Sequence, residues 1–205
     1  MSLESLASTF NRMQGFGMFQ QWSAKRIQIS NAREKFEYVF REFLKMEEEQ
    51  RGISHPFRWL PEYVKVCEWL QDNHGKGLFC MGQCGRGKSI ICKYVIPVII
   101  NDSLHLSASI FNAIDMNNKN NQILISDAKI LCVDDLGREE LRQEYGHKRI
   151  VFSDIMNEVE YKNKLIFVTT NLNPTEIEER YDARTMSRIK AFTKSVTFQG
   201  EDLRG

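Results

Sequence analysis

The stretch G-L-F-C-M-G-Q-C-G-R-G-K-S, residues 77–89, decides the fold of this chain. Its second part, Gly82 to Ser89, matches the phosphate-binding loop pattern G-x-x-x-x-G-K-[ST], which needs a strand before it and a helix after it. The compact apolar run at residues 78–81 predicts that strand. Residues 90–96 are also largely apolar and predict a helix that ends near Pro97.

The residue types of this loop suit an anion. Glycines let backbone N–H groups turn inward around a phosphate, and the N-terminus of the following helix adds its dipole. Lys88 is expected to reach the terminal phosphates, and the Ser89 hydroxyl to bind Mg²⁺. A chance glycine turn is the alternative, but the flanking strand and helix favour a site for ATP and Mg²⁺. The residues predicted to contact the nucleotide are Gly82, Gly85, Arg86, Gly87, Lys88, Ser89 and Ile90.

Composition is that of an ordinary globular protein. The 205 residues are 42% hydrophobic and 27% charged, with a net charge of +1, so no global basic field indicates nucleic acid. The five cysteines show no C-x-x-C spacing, which favours reduced thiols. There is no apolar run of about 18 residues and no signal-peptide pattern at the start. We therefore expect a cytoplasmic protein that does not associate with membranes.

The N-terminal quarter of the chain is predicted to be helical. Residues 30–51 carry an apolar stripe at helical spacing, with Asn31 as the expected cap, Glu34 as its capping-box partner and Gly52 as the stop. Before this helix lie four aromatic residues that either pack on the main domain or dock a partner: Phe10, Phe16, Phe19 and Trp22.

Two prolines then suggest a linker at residues 52–61, before a second amphipathic helix that includes Trp69. We divide the chain accordingly into a helical N-terminal region, residues 1–52, and a nucleotide-binding core, residues 53–205. The N-terminal region is expected either to bind a partner or to pack on the core.

Two adjacent carboxylates follow the next strongly apolar segment. Residues 130–133 form a continuous apolar run, the pattern of a parallel strand buried on both faces, and Asp134 and Asp135 end it. After a phosphate loop, Asp134 is expected to hold Mg²⁺ and Asp135 to orient and activate the attacking water. A capped loop is the alternative. Before this segment, residues 104–111 are a candidate strand and residues 117–122 a polar loop.

A third buried strand is predicted at residues 165–170, ending at Asn171. Ligands in parallel α/β folds lie beyond the carboxyl ends of the strands, so Asn171 is a candidate to position the water or contact the γ-phosphate. Its alternative role is that of an ordinary turn residue. The remaining predicted elements are helices at 146–161, 175–181 and 185–192, and a short strand at 195–198. The alternation predicts a parallel α/β sheet flanked by helices.

The order of these motifs resembles one family. The phosphate loop, V-D-D-L-G, T-T-N-L-N-P, R-Y-D-A-R-T-M-S-R-I and F-Q-G-E-D-L-R resemble the AAA+ ATPases of the DnaC/DnaI helicase-loader type and the related IstB-like transposition ATPases, over residues 57–205. By this resemblance Gly82 to Ser89 is Walker A, Asp134–Asp135 is Walker B and Asn171 is the sensor-1 residue. Arg188, or else Arg184, falls at the arginine-finger position, and Arg204 resembles a sensor-2 arginine.

The resemblance implies an ATP-hydrolysing switch that loads a replicative DNA helicase on single-stranded DNA. It also implies a homo-oligomer formed on ATP binding and a core without a separate C-terminal lid. An IstB-like ATPase acting with a transposase is the near alternative, because the core motifs report the ATPase and not its client. A small-molecule P-loop kinase is a distant one, since the double carboxylate followed by T-T-N favours water as the acceptor. Direct contact with single-stranded DNA remains open.

Overall fold

The computed structural model describes residues 8, 12, 26–140, 142–144, 147–149 and 151–203. The predictions made for Arg204 and for the aromatic residues at positions 10, 16, 19 and 22 lie outside these residues.

A parallel sheet of five strands forms the centre of the molecule. The described residues also form a two-stranded hairpin, and in chain order all of these strands are β1 (Gly77–Gly82), β2 (Ser109–Asn112), β3 (Ile130–Leu136), β4 (Arg142–Glu144), β5 (His147–Arg149), β6 (Leu165–Thr170) and β7 (Thr193–Phe198). The sheet has the order β2-β3-β6-β1-β7, and every pairing in it is parallel. Strands β4 and β5 form a separate antiparallel hairpin. The predicted fold class is confirmed.

Helices cover both faces of this sheet. They are α1 (Ala32–Arg51), α2 (Pro61–Gln71), α3 (residues 88–104), α4 (Lys119–Asp127), α5 (Val151–Lys162) and α6 (Pro174–Phe192), with a short 3₁₀ helix at Ala113–Asn117. Along the strands, alternate side chains enter two separate apolar clusters. On β1, for example, Leu78 and Cys80 pack with α1, α2 and α3, whereas Phe79 and Met81 pack with α5 and α6. The result is a three-layer α/β/α arrangement.

The segment between α1 and α2 has no regular secondary structure but is packed against α1. The Phe57 ring lies 5.5 Å from that of Phe40, and the Trp59 ring stacks 5.8 Å from that of Phe36. The Trp59 indole N–H also donates to Glu37 at 3.0 Å. Helix α1 therefore shares one apolar cluster with the sheet.

Three predictions about helix starts are wrong. Asn31 does not cap α1 with its side chain: its backbone is left-handed (φ 56°), whereas N-cap residues are ordinarily extended, and only its carbonyl takes part in the helix, by accepting from the Lys35 N–H. The predicted polar loop at residues 117–122 is largely the start of α4, where Asn118 caps the helix by accepting from the Asn120 N–H. The predicted helix at 146–161 starts only at Val151, since His147–Arg149 belongs to the hairpin.

The sequence predicts that the helix after the phosphate loop ends near Pro97, but α3 continues through this residue. Its middle part, Ile91–Val95, is a π-helix in which the Ile96 N–H donates to the Ile91 carbonyl. The π-helical partner of residue 97 would be Cys92, but proline has no N–H to donate. The Cys132 thiol donates to the Cys92 carbonyl instead, at 3.3 Å. The wider turn and this thiol together let the proline stay inside the helix.

Helix α6 contains a strained residue that gives a stability prediction. Asp182 has φ 74° and ψ 161°, a conformation that ordinarily only glycine adopts, and its carboxylate accepts from the Thr185 N–H at 2.7 Å. Asp182→Ala keeps the strain and loses this cap, so we expect it to lower the free energy of unfolding by about 1 kcal/mol. Asp182→Gly relieves strain of about 1–3 kcal/mol and loses only a few tenths of a kcal/mol of capping. We therefore expect its free energy of unfolding to equal or exceed that of wild type. Urea denaturation tests both; equal destabilisation by the two variants would contradict the strain.

Candidate functional site

The phosphate loop joins β1 to α3 and can be built only with glycine at its key positions. A Cβ on Gly82 would come within 2.2 Å of the Phe198 carbonyl oxygen, which would disrupt the pairing of β1 with β7. Gly87 has φ 78°, and a Cβ there would lie 2.7 Å from the Tyr63 hydroxyl. The Tyr63 hydroxyl also donates to the Arg86 carbonyl at 3.2 Å. Helix α2 therefore supports the loop from behind.

Lys88 is folded back onto its own loop. Its ammonium donates to the carbonyls of Gly82 (2.8 Å) and Gln83 (2.6 Å), and the side chain is buried. Burial lowers the pKa of Lys88, an effect that nearby Cys84 and the acidic residues Asp134 and Asp135 oppose. A desolvated cation that is held only by carbonyls gains strongly when a phosphate replaces them.

Most of the predicted site residues line one cavity of about 690 Å³ at the carboxyl edge of the sheet. The loop supplies its floor, α1 and residues 53–58 form one side, and Asp135 and Asn171 lie at the ends of their strands. Residues 201–203 close the rim. The predicted residues that line the cavity are Gly85, Arg86, Gly87, Lys88, Ser89, Ile90, Asp135 and Asn171.

Asp134 lies just behind this cavity rather than on its wall. It is 3% exposed, and its Oδ1 accepts from the Thr169 hydroxyl at 2.6 Å. Its Oδ2 forms an ion pair with the Lys93 ammonium at 3.3 Å. Both oxygens of the carboxylate are therefore partnered within the protein.

The backbone bulges at the two carboxylates and turns Asp135 toward the cavity. The register of β3 against β6 shifts between Val133 and Leu136, and Asp135 has φ 57°. Its N–H donates to the Thr169 hydroxyl at 2.9 Å, and its carboxylate pairs with exposed Arg138 at 3.1 Å. Thr169 thus binds both aspartates. Sequence reasoning did not assign it a role, although its place in the T-T pair before Asn171 was a usable signal.

A buried ion pair holds the loop from its outer side. The Arg86 guanidinium binds Glu62 at 2.6 Å and also donates to the Glu201 carbonyl at 3.0 Å, and both charged side chains are buried. The segment after β7 adds backbone contacts, with the Gly200 N–H donating to Gln83 at 2.7 Å. Arg86 was predicted to contact the nucleotide; it is among the residues that line the cavity, but its guanidinium is bound to Glu62 and the Glu201 carbonyl. Glu62 was not predicted.

The candidate arginine fingers lie on α6, away from the cavity lining. Arg188 donates to Glu160 of α5 at 2.6 Å and is largely buried. Arg184, one turn earlier, is exposed to solvent. A position outside the chain's own cavity is compatible with action on a neighbouring subunit, but Arg188 would first have to leave Glu160.

The oxygen donors near the loop fit Mg²⁺. This ion prefers carboxylate, hydroxyl and water oxygens; Ser89 offers a hydroxyl at the cavity, and Asp134 offers a buried carboxylate behind it. Within the part of the chain that the structure describes, no helix has the length and apolar character needed to cross a membrane.

Comparison with solved structures shows the fold. The DnaC helicase loader matches with a TM-score of 0.51 at 17% identity, over 84% of this chain and 93% of the loader. The chain shares the α/β fold of this loader. A candidate primosome component from Streptococcus pyogenes serotype M3 gives a TM-score of 0.50 at 18% identity, over 85% and 86% of the two chains. AMPPCP-bound DnaA from Aquifex aeolicus gives 0.51 at 14% identity, over 71% of this chain and 50% of DnaA.

These structures confirm, at the level of fold, the resemblance drawn from the motifs. No protein-family model matches the sequence, and no curated protein matches it.

Proposed function

We propose that this protein is an ATP-hydrolysing switch of DNA replication that loads a replicative helicase on single-stranded DNA. The observation that carries the proposal is the convergence of Lys88, Asp135 and Asn171 on one cavity next to a phosphate loop. The DnaC-type fold supports the loader role, since a helicase loader shares the architecture over 93% of its length.

The geometry of the site supports the following roles. Lys88 exchanges its two carbonyl partners for the terminal phosphates, and the loop N–H groups with the start of α3 hold the rest. Asp135, turned into the cavity, orients and activates the attacking water, and Asn171 positions it. Ser89 and Asp134 would hold Mg²⁺, which neutralises charge on the phosphates during transfer.

Hydrolysis is proposed to depend on assembly into a homo-oligomer on ATP binding. Arg188 is the proposed arginine finger and would stabilise transition-state charge in a neighbouring subunit. Arg188 is held in an ion pair with Glu160, whereas Arg184 is exposed to solvent. Arg184 is therefore the alternative arginine finger. Arg204 is proposed as a sensor-2 residue from the sequence alone.

The client and the division of the chain are also proposals. Residues 1–52 would contact the helicase or pack on the core formed by residues 53–205. An IstB-like ATPase with a transposase as partner remains the second candidate, because the cavity reports the ATPase and not its client. A cytoplasmic location is supported by five free thiols.

The first experiment measures ATP hydrolysis per subunit against protein concentration, with and without single-stranded DNA. We expect the rate per subunit to rise steeply with concentration and further with DNA, because catalysis needs a neighbour's arginine. Arg188→Ala should remove the concentration-dependent part while leaving ATP affinity unchanged. If Arg184→Ala has this effect instead, the finger is Arg184. A flat rate that ignores DNA would contradict the loader proposal and leave a monomeric nucleotide-binding protein or a kinase.

A further inference from the structure

Lys93 is the feature of the site that the proposed function does not use. It lies in the π-helical turn of α3, four residues after Ser89, and its ammonium lies 3.3 Å from Asp134. The Lys93 side chain is 30% exposed, whereas that of Asp134 is 4% exposed. The pair therefore connects the buried end of β3 to a groove between α1 and α3, which Phe43, Glu47 and Ser89 also line.

The Lys93 ammonium compensates the negative charge of the buried Asp134 carboxylate. A buried carboxylate is costly unless it is paired and hydrogen-bonded. The Thr169 hydroxyl satisfies one oxygen of Asp134 and Lys93 neutralises the other. The carboxylate proposed to hold Mg²⁺ thus already has a cation beside it.

A Mg²⁺ ion that binds Asp134 has to share the negative charge of the carboxylate with the Lys93 ammonium or displace that ammonium. Mg²⁺ takes near-octahedral oxygen ligands and is bound through few protein carboxylates, so the charge on Asp134 matters to its affinity. A lysine ammonium in contact with the same carboxylate repels the incoming ion, and the effect is strong where burial limits screening.

We propose that Lys93 is a built-in counter-ion of Asp134 that competes with Mg²⁺. Lys93 is a positioning residue that acts through Asp134: it keeps the carboxylate in place before Mg²⁺ binds and sets the Mg²⁺ concentration at which the ion binds. This inference rests on the proposed function, since it concerns the metal of the same nucleotide site.

The first arm of the test follows Mg²⁺ through a bound nucleotide. The full-length protein is mixed with N-methylanthraniloyl-ADP and titrated with MgCl₂ while fluorescence is recorded. Lys93→Met should lower the half-saturating Mg²⁺ concentration by about tenfold, because the repulsion is gone. Lys93→Arg should restore the wild-type value, and Lys65→Met, on the exposed face of α2, should leave it unchanged.

The second arm needs no nucleotide. Urea unfolding in EDTA is measured for Lys93→Met, Asp134→Asn and the double variant. Lys93→Met should destabilise the protein by leaving Asp134 unpaired, and most of this loss should vanish when Asp134 is already Asn. Additive effects of the two substitutions would overturn the counter-ion role.

The outcomes separate this inference from the proposed function. A wild-type protein that does not bind the nucleotide at all overturns the proposed function, and the metal competition falls with it, while the second arm still decides the ion pair. Normal binding with an unchanged Mg²⁺ requirement in Lys93→Met overturns this inference alone. A loss of ATP affinity relative to ADP in Lys93→Met would also overturn it, because Lys93 would then contact the γ-phosphate.

Discussion

Lys88→Ala should weaken nucleotide binding by about a hundredfold or more. In the structure the ammonium donates two short hydrogen bonds to loop carbonyls, and burial lowers its pKa. Charge-assisted hydrogen bonds contribute about 1.5–3 kcal/mol each, so the loss of two phosphate contacts corresponds to at least that factor in affinity. Isothermal titration calorimetry with ADP and ATP measures it directly.

The control must separate binding from folding. Lys88→Ala also removes partners from the Gly82 and Gln83 carbonyls, so the variant is compared with wild type by urea denaturation. Lys65→Ala, on the exposed face of α2, serves as the matched lysine substitution and should bind like wild type. A folded Lys88→Ala protein with wild-type affinity for ATP would remove the phosphate-loop assignment.

The strands around the site were predictable because their patterns are local. Residues 165–170 were predicted as a buried strand and form β6 with these bounds, and the apolar run at 130–133 lies inside β3. Continuous apolar runs of this length leave few alternatives once a phosphate loop fixes the fold class. The carboxyl ends of parallel strands meet at one edge, so Asp135 and Asn171 could be placed at one cavity.

The partners of these residues were not predictable, because they come from distant parts of the chain. Thr169 reaches both aspartates across the sheet, and Glu62 meets Arg86 from α2. The T-T pair before Asn171 marks Thr169 as a residue near the site, but no spacing in the sequence encodes which side chains it contacts. The ion pair of Lys93 with Asp134 likewise joins α3 to β3 across the sheet edge.

Backbone exceptions account for the errors in helix boundaries. Pro97 normally signals the end of a helix, but a π turn and the Cys132 thiol accommodate it here. Asn31 is a good capping residue, yet its left-handed backbone prevents that role. In both cases the backbone conformation differs from the one that the local residue signal normally accompanies.

Asp135→Asn should lower the ATP hydrolysis rate by about 10²–10⁴-fold, the range expected for loss of a general base, while ATP affinity stays close to wild type. Asparagine suits this position because Asp135 has φ 57°, a left-handed conformation that asparagine tolerates and alanine does not. The substitution therefore removes the charge with little strain. Single-turnover hydrolysis and equilibrium ATP binding, measured on the same preparation, separate the two effects.

The matched control is Asp127→Asn, the same change at the exposed end of α4, which should hydrolyse ATP like wild type. Asp135 also pairs with Arg138, but that ion pair is exposed and such pairs contribute little to stability. The unfolding midpoint of Asp135→Asn should therefore match wild type, so that a lost rate reports chemistry and not folding. Hydrolysis that persists at the wild-type rate would mean that another group activates the water, and Asp135 would then be only the residue that shapes the bulge within β3.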